Sequence, residues 1–329
     1  SIFGVHQFYD TLVSFEDDDV SKVIPWLATE WEVNEDGTEW TFHLREDATF
    51  HSGRPVTAQD VVYSFDRVIE MSESPAWLLT QTGMEKGSTK AVDDHTVKIT
   101  LPEPFNPDAF LACLAYGVAS IVDSEEVKAH EKDGDYGKAW MIDNSAGSGP
   151  FVLDKWEREV EITMTANKDH FDGEPGVKQV VIKHISEPAS QKMQLEKGDI
   201  DIAFNLNHEQ LKDIEEIDGV HVVHGYGDSL SYVGMNVGIE PFGDQRVRNA
   251  VKWAIDYEGI VEYVLMGNAV LNQSIIPKGF KGYDDTRYYE RDVEKAKSLL
   301  AEAGMPDGFS AEMLCNTAPT AGVPTPDIA

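Results

Sequence analysis

The chain has 329 residues, with 27 basic and 59 acidic side chains and a formal net charge of −32. Such a charge repels phosphate backbones and anionic surfaces, which argues against a nucleic-acid-binding protein. Hydrophobic residues make up 41% of the chain, enough for folded cores, and this excludes an intrinsically disordered protein. Because the chain is longer than a typical domain with a single hydrophobic core, we expect two or more lobes.

The longest apolar run covers residues 109–122 and is broken by Gly117 and Ser120. A membrane-spanning helix needs about 20 apolar residues, so this run predicts a buried helix followed by a turn. No signal sequence is recognisable, and because the sequence opens at Ser1 we expect a processed or trimmed chain. Cys113 and Cys315 are too few for a disulfide framework or a zinc site, and we predict two buried thiols.

Apolar and polar residues alternate over positions 40–44, which predicts a half-buried strand. The turn signal Asp36-Gly37 predicts that this strand forms a hairpin with residues 31–33. Thr57 and Asp60 resemble a capping box that opens a helix. Alternation predicts further strands at residues 97–101, 151–153, 160–164, 177–185, 200–203, 220–223 and 232–236. Helical spacing predicts helices at residues 105–115, 189–197, 244–255 and 292–303.

The usual catalytic motifs are absent from the sequence. It has no P-loop and no HExxH zinc motif, and residues 147–150 lack the Gly-x-Ser-x-Gly pattern of a nucleophile elbow. Carboxylates are so numerous that no pair stands out as general acid and base. No cluster of His, Cys and Asp has metal-ligand spacing. We therefore predict a protein that is not an enzyme, with no metal site and no cofactor.

The segment from Ala28 to Phe65 is far more specific than its periodicity. It contains WEV, DG and WTFHLR, followed by FHSGRPVTAQDVVYSF. Four later stretches, at residues 92–97, 149–171, 198–201 and 235–256, continue in the same order. Together they closely resemble the peptide/nickel family of ABC-transporter substrate-binding proteins, over about residues 9–304. Two departures are mild: His170-Phe171 replaces the usual Tyr-Trp, and Ser148 replaces a Thr.

The resemblance implies an α/β, two-lobed periplasmic-binding-protein fold, type II-like, with an extra subdomain in the first lobe. We assign residues 1–20 to part of lobe I, 21–145 to the extra subdomain, 146–235 to the return of lobe I and 236–329 to lobe II. Because family members are considerably longer, the sequence is interpreted as an internal fragment with an incomplete distal lobe.

The resemblance also implies a function. We expect an extracytoplasmic receptor of an ABC importer that binds a dipeptide or oligopeptide in an interlobe cleft and delivers it to the membrane permease. We expect a monomer, located in the periplasm or anchored on the outer face of the membrane. Nickel chelates, sugars and opines stay open as ligands. A carboxylate-dependent hydrolase, or a peptide sensor or chaperone on the same fold, stays open as an alternative.

The implied ligand contacts come from loops that face the cleft, whereas the motif at residues 28–65 is interpreted as scaffold. Trp77 is the leading candidate for ligand contact, and the alternative interpretation is that it packs in the core beside Leu78 and Leu79. Asn236 lies where the chain crosses between lobes, and a hinge role competes with ligand binding there. Groups that anchor the ligand's charges are expected mostly beyond Ala329. The full set of candidates is Ile2, Phe3, Trp77, Tyr116, Gly117, Val118 and Asn236.

Overall fold

A computed structural model of the protein describes residues 2–16, 19–204, 206–223, 225, 230–315, 319–320, 323–324 and 328. The chain forms two compact units, Ser1–His184 (unit 1) and Ile185–Ala329 (unit 2). The four segments assigned from the sequence do not coincide with this division, because the segment at residues 146–235 extends across its boundary, and they stay a prediction.

Unit 1 contains six helices, a 3-10 turn and nine strands within its described residues. They are α1 (Ile2–Phe8), β1 (Val13–Glu16), β2 (Asp19–Pro25), β3 (Ala28–Val33), β4 (Glu39–Leu44), α2 (Ala58–Met71), α3 (Trp77–Thr80), β5 (Thr89–Asp93), β6 (Thr96–Thr100), α4 (Pro107–Ala115), the 3-10 turn Gly117–Ala119, α5 (Ser124–Ala129), α6 (Lys138–Met141), β7 (Phe151–Glu157), β8 (Glu161–Ala166) and β9 (Gln179–Lys183).

A four-stranded antiparallel sheet carries the main core of unit 1, in the order β3-β4-β6-β5. Trp40 pairs with Val33 on one side and with Ile99 on the other, which confirms the predicted hairpin and the strand at residues 40–44. The indole of Trp40 packs on Phe110 of α4, with ring centroids 4.9 Å apart. Phe65 of α2 is fully buried in the same core.

Local side-chain chemistry sets where the helices of this core begin. Thr57 precedes α2, and its N–H donates to the Asp60 carboxylate at 3.0 Å, as predicted for a capping box. Helix α4 begins at Pro107, two residues later than predicted, because the Asn106 side chain accepts the Ala109 N–H at 3.0 Å and caps it.

A second core of unit 1 lies between α1 and the antiparallel sheet β7-β8-β9. Its buried members include Phe8, Phe151 and Met164. The alternating residues predicted these three strands, and their observed bounds differ by a few residues. The packing of this sheet against α1 fixes the position of the residues that follow the helix.

Unit 2 contains five α-helices, a π-helical turn and two short strands within its described residues. They are α7 (Pro188–Lys197), α8 (His208–Glu215), α9 (Gln245–Ala254), α10 (Tyr257–Gly259), the π-helical turn Ile260–Val264, α11 (Val293–Glu302), β10 (Pro319–Thr320) and β11 (Val323–Pro324). Helices α9 and α11 pack together, with Val247, Ala250 and Ala296 buried between neighbours. Helix α7 ends at Gly198, which adopts the left-handed conformation that glycine commonly supplies after a helix.

The strands predicted at residues 200–203, 220–223 and 232–236 are wrong, because the structure records no strand in those segments. A strand needs a hydrogen-bonded neighbour, and within the described part of unit 2 these segments have none. Val223 and Tyr232 are 92% and 85% exposed. The expectation of two buried thiols is half correct, because Cys113 is buried and Cys315 is exposed.

Candidate functional site

The strongest motif of the sequence forms a buried ion-pair network in unit 1. Arg54 lies between two carboxylates: its Nε donates to Asp123 Oδ1 at 3.0 Å, and its guanidinium also pairs with Asp60. Both aspartates are buried. Ser52 Oγ donates to the second oxygen of Asp123 at 2.6 Å. Because these polar groups are used inside the fold, the network supports the interpretation of the motif as scaffold.

Asp60 stays ionised inside this network. Burial alone would raise its pKa, because burial disfavours the charged carboxylate. Hydrogen bonds from Arg54, Ser124 and Thr57 outweigh burial and hold the pKa of Asp60 below its usual value. The N–H groups of Thr57 and Ser124 reach its two oxygens at 3.0 and 3.1 Å. The carboxylate thereby joins the first turns of α2 and α5.

Residues 147–149 lie directly against the end of α1, and two glycines make this possible. A Cβ atom at Gly147 would stand 1.8 Å from the carbonyl oxygen of Phe8, and one at Gly149 would stand 2.6 Å from its carbonyl carbon. No side chain fits at such distances. The Gly149 N–H donates to the same carbonyl of Phe8 at 3.0 Å. This stretch therefore fixes the C-terminal end of α1.

A buried carboxylate, Asp10, follows α1 and joins three further parts of unit 1. Trp26 Nε1 and Ser148 Oγ donate to its two oxygens, each at 2.7 Å. His170 Nε2 lies 3.4 Å from Asp10 Oδ1, and His170 is itself buried. The sequence showed His170 only as a departure from an aromatic pair, so this contact was missed.

His51 is a second histidine near this cluster. Its Nε2 lies 2.9 Å from the carbonyl oxygen of Gly149, and its Nδ1 is buried without a hydrogen-bond partner in the structure. Burial lowers the pKa of His51 below the usual value for histidine, and this outweighs the hydrogen bond with Gly149 and the charge of Asp10, which both raise it. The neutral ring is therefore the form that fits this position.

Three of the segments that the resemblance assigns to the ligand lie together in unit 1. Helices α1 and α3 both pack against the 3-10 turn Gly117–Ala119. A Cβ atom at Gly117 would stand 3.1 Å from Val5 Cγ1, so glycine allows α1 a close approach. Tyr116 is half-buried, and its ring meets that of Phe15 edge to face, with centroids 5.6 Å apart.

The remaining unit 1 candidates differ in exposure. Trp77, the first residue of α3, is 57% exposed, so the alternative of a core tryptophan is wrong. Leu79 in the same helix is fully buried and anchors it. Val118 is half-buried and packs on the main core. Ile2 and Phe3 belong to α1, but their side chains lie outside the described residues.

Asn236 lies in unit 2 and forms a local turn. Its Oδ1 accepts the Gly238 N–H at 2.9 Å, and its carbonyl accepts the Ile239 N–H at 3.2 Å. The side chain is exposed. This geometry accounts for the asparagine through turn formation, and its assignment to ligand or hinge stays a prediction.

Unit 2 also holds an open cavity of about 360 Å³ that involves none of the predicted residues. Aromatic rings line it, including Trp253 and Tyr289, whose centroids lie 5.4 Å apart. An ion pair at its edge joins Arg291 to Asp256 at 2.7 Å. No group of three His, Cys, Asp or Glu that could hold a metal ion is found among the described residues of either unit.

Residues 22–329 match the model of the "Bacterial extracellular solute-binding proteins, family 5 Middle". The chain belongs to this family. The family consists of extracellular binding proteins, and no helix in the described ranges is long and apolar enough to cross a membrane.

Individual relatives agree with this assignment. The probable D,D-dipeptide-binding periplasmic protein of Escherichia coli is 36% identical over 273 residues, which cover 83% of this chain and 51% of that protein. The dipeptide-binding protein of Escherichia coli is 31% identical over 322 residues, covering 93% and 59%. The chain therefore spans between half and three fifths of the length of these relatives.

A solved structure supports the fold. The periplasmic binding protein DppA from Helicobacter pylori, in complex with the peptide STSA, matches with a TM-score of 0.76 at 27% identity. The match covers 92% of this chain and 61% of that one. The mixed helix and sheet structure is thus a periplasmic-binding-protein fold, as the resemblance implied.

Proposed function

We propose that this chain is part of an extracytoplasmic receptor that binds a dipeptide or oligopeptide and delivers it to the permease of an ABC importer. The observation that carries the proposal is the family match over residues 22–329, together with relatives named for dipeptide binding. The Helicobacter pylori relative was solved with a bound tetrapeptide. We place the receptor in the periplasm or on the outer face of the membrane, as a monomer.

Ligand contact is assigned to the segments that meet around the turn Gly117–Ala119 in unit 1. Trp77 is the leading candidate, because an exposed tryptophan offers a large apolar surface to a ligand. Tyr116, Gly117 and Val118 contribute from the turn, and Ile2 and Phe3 from α1. Asn236 is retained as the candidate from unit 2.

Titration of the purified protein with a dipeptide library, followed by tryptophan fluorescence and calorimetry, tests the proposal. We expect saturable binding, and recovery of the peptides intact by mass spectrometry. Trp77→Phe should remove most of the fluorescence change, while the matched variant Trp156→Phe keeps it. Absence of binding by every peptide contradicts a peptide receptor, and cleaved peptides would favour the hydrolase alternative.

A further inference from the structure

The candidate segments of unit 1 share one property that no single segment reveals. Residues 2–8, 74–81 and 116–120, together named the uncharged wall, contain no Asp, Glu, Lys or Arg among 20 residues. At the chain's average charged fraction of 26%, about five would be expected there. The fold brings these segments together, because α1 and α3 both pack on the turn Gly117–Ala119.

Burial explains only part of the missing charge, because the buried residues in the described part of the wall are Phe8, Ala76, Leu79 and Ala119. Trp77 is 57% exposed, residues 74–75 and 80–81 are exposed, and residues 116–118 are half-buried. Elsewhere in unit 1, exposed positions carry charge freely, as Glu30 and Glu32 do on strand β3. The described part of the wall is therefore a partly accessible surface without Asp, Glu, Lys or Arg, and desolvation lowers the pKa of its one histidine, His6.

Two carbonyl groups of the turn already accept hydrogen bonds from within the wall. The carbonyl of Gly117 already accepts both the N–H and the Oγ of Ser120, at 3.3 and 2.7 Å. The carbonyl of Tyr116 accepts the Ala119 N–H at 2.8 Å. A charged ligand group that lost its water here would find no counter-charge in these segments, and such desolvation is costly.

We propose that the ligand side chain in contact with the uncharged wall is itself uncharged and apolar or aromatic. This inference rests on the proposed peptide-receptor function and specifies its substrate class. The wall supplies contact area through Trp77 and through Tyr116, whose ring packs edge to face on Phe15. The charged termini of the peptide are bound by other groups. The net charge of −32 opposes acidic side chains further, at longer range.

A panel of dipeptides with a constant first residue tests the inference by calorimetry: Ala-Phe, Ala-Leu, Ala-Met, Ala-Asp and Ala-Lys. We expect the apolar dipeptides to bind at least tenfold more tightly than Ala-Asp or Ala-Lys. The comparison is repeated in 0.5 M sodium chloride, which screens the long-range attraction of the acidic protein for Ala-Lys. Tight binding of Ala-Lys or Ala-Asp at high salt, equal to that of Ala-Leu, overturns the inference and leaves a peptide receptor intact. Failure of all five dipeptides, and of longer peptides, instead overturns the proposed function.

Two variants connect the preference to the wall. Trp77→Ala should weaken Ala-Phe binding at least fivefold, while Trp156→Ala, on strand β7 and outside the wall, should leave it unchanged. Thr80→Lys adds a cation to the wall and should reduce the discrimination against Ala-Asp at least threefold. Unfolding curves of each variant confirm that it is folded. If Trp77→Ala and Thr80→Lys are both folded and both leave the preference unchanged, the wall does not set it.

Discussion

Removal of the Arg54 guanidinium should destabilise unit 1 far more than removal of an ordinary surface cation. Arg54 is the shared partner of Asp60 and Asp123, whose side chains are 0% and 3% exposed. Breaking a buried pair by removing one partner typically costs about 3–5 kcal/mol, because the remaining charge stays buried and unpaired. The Arg54 side chain is 22% exposed, so we expect the lower end, about 3 kcal/mol, for Arg54→Met.

Urea unfolding monitored by tryptophan fluorescence measures this loss. Lys22→Met is the control in the same unit: it breaks the pair with Glu16 at 2.6 Å, with side chains 57% and 47% exposed, and should cost less than about 1 kcal/mol. Replacing Asp60 and Asp123 by Asn in the Arg54→Met background should recover part of the loss, since no unpaired charge then remains. Equal losses for Arg54→Met and Lys22→Met would refute the reasoning.

Three further predictions concern glycine packing, histidine protonation and net charge. Gly149→Ala should destabilise unit 1 by about 3 kcal/mol or more, because the added Cβ would stand 2.6 Å from the backbone carbonyl carbon of Phe8. The control is Gly176→Ala: beyond its chain neighbours no atom lies within 4 Å of its added Cβ, so this variant should be tolerated in the same urea assay. The pKa of His51 is lowered by folding, so its contribution to stability is complete above about pH 6.5 and is lost as the pH falls below that value. Unfolding curves from pH 7.5 to 5 should show this loss, and His51→Gln should reduce it; an unchanged pH profile would contradict the assignment. The melting temperature should rise with added sodium chloride, because salt screens the repulsion among an excess of 32 acidic residues, and a flat or falling melting temperature would contradict this.

Local sequence signals predicted the elements whose stabilising partners are close in the chain. The hairpin of residues 31–44 and the cap at Thr57 were correct, because a turn and a side chain determine each of them. The start of α4 was misplaced by two residues, since Asn106 was not recognised as its cap. The strands predicted at residues 200–203, 220–223 and 232–236 failed for another reason. Alternating apolar and polar residues indicate which segments could form a strand, but a neighbouring strand must supply the hydrogen bonds.

The candidate site shows a different limit of sequence reasoning. In the motif that identifies the family, Arg54 and Asp60 pair with each other inside the fold, so the structure accounts for these two charges without a ligand. The uncharged wall has no motif, because its property is an absence shared by three segments that lie tens of residues apart. An absence of charge in any one short segment is unremarkable, and it becomes informative only when the fold places the segments side by side on an accessible surface. In a chain of net charge −32, such a surface needs a physical reason, and contact with an uncharged ligand side chain supplies one.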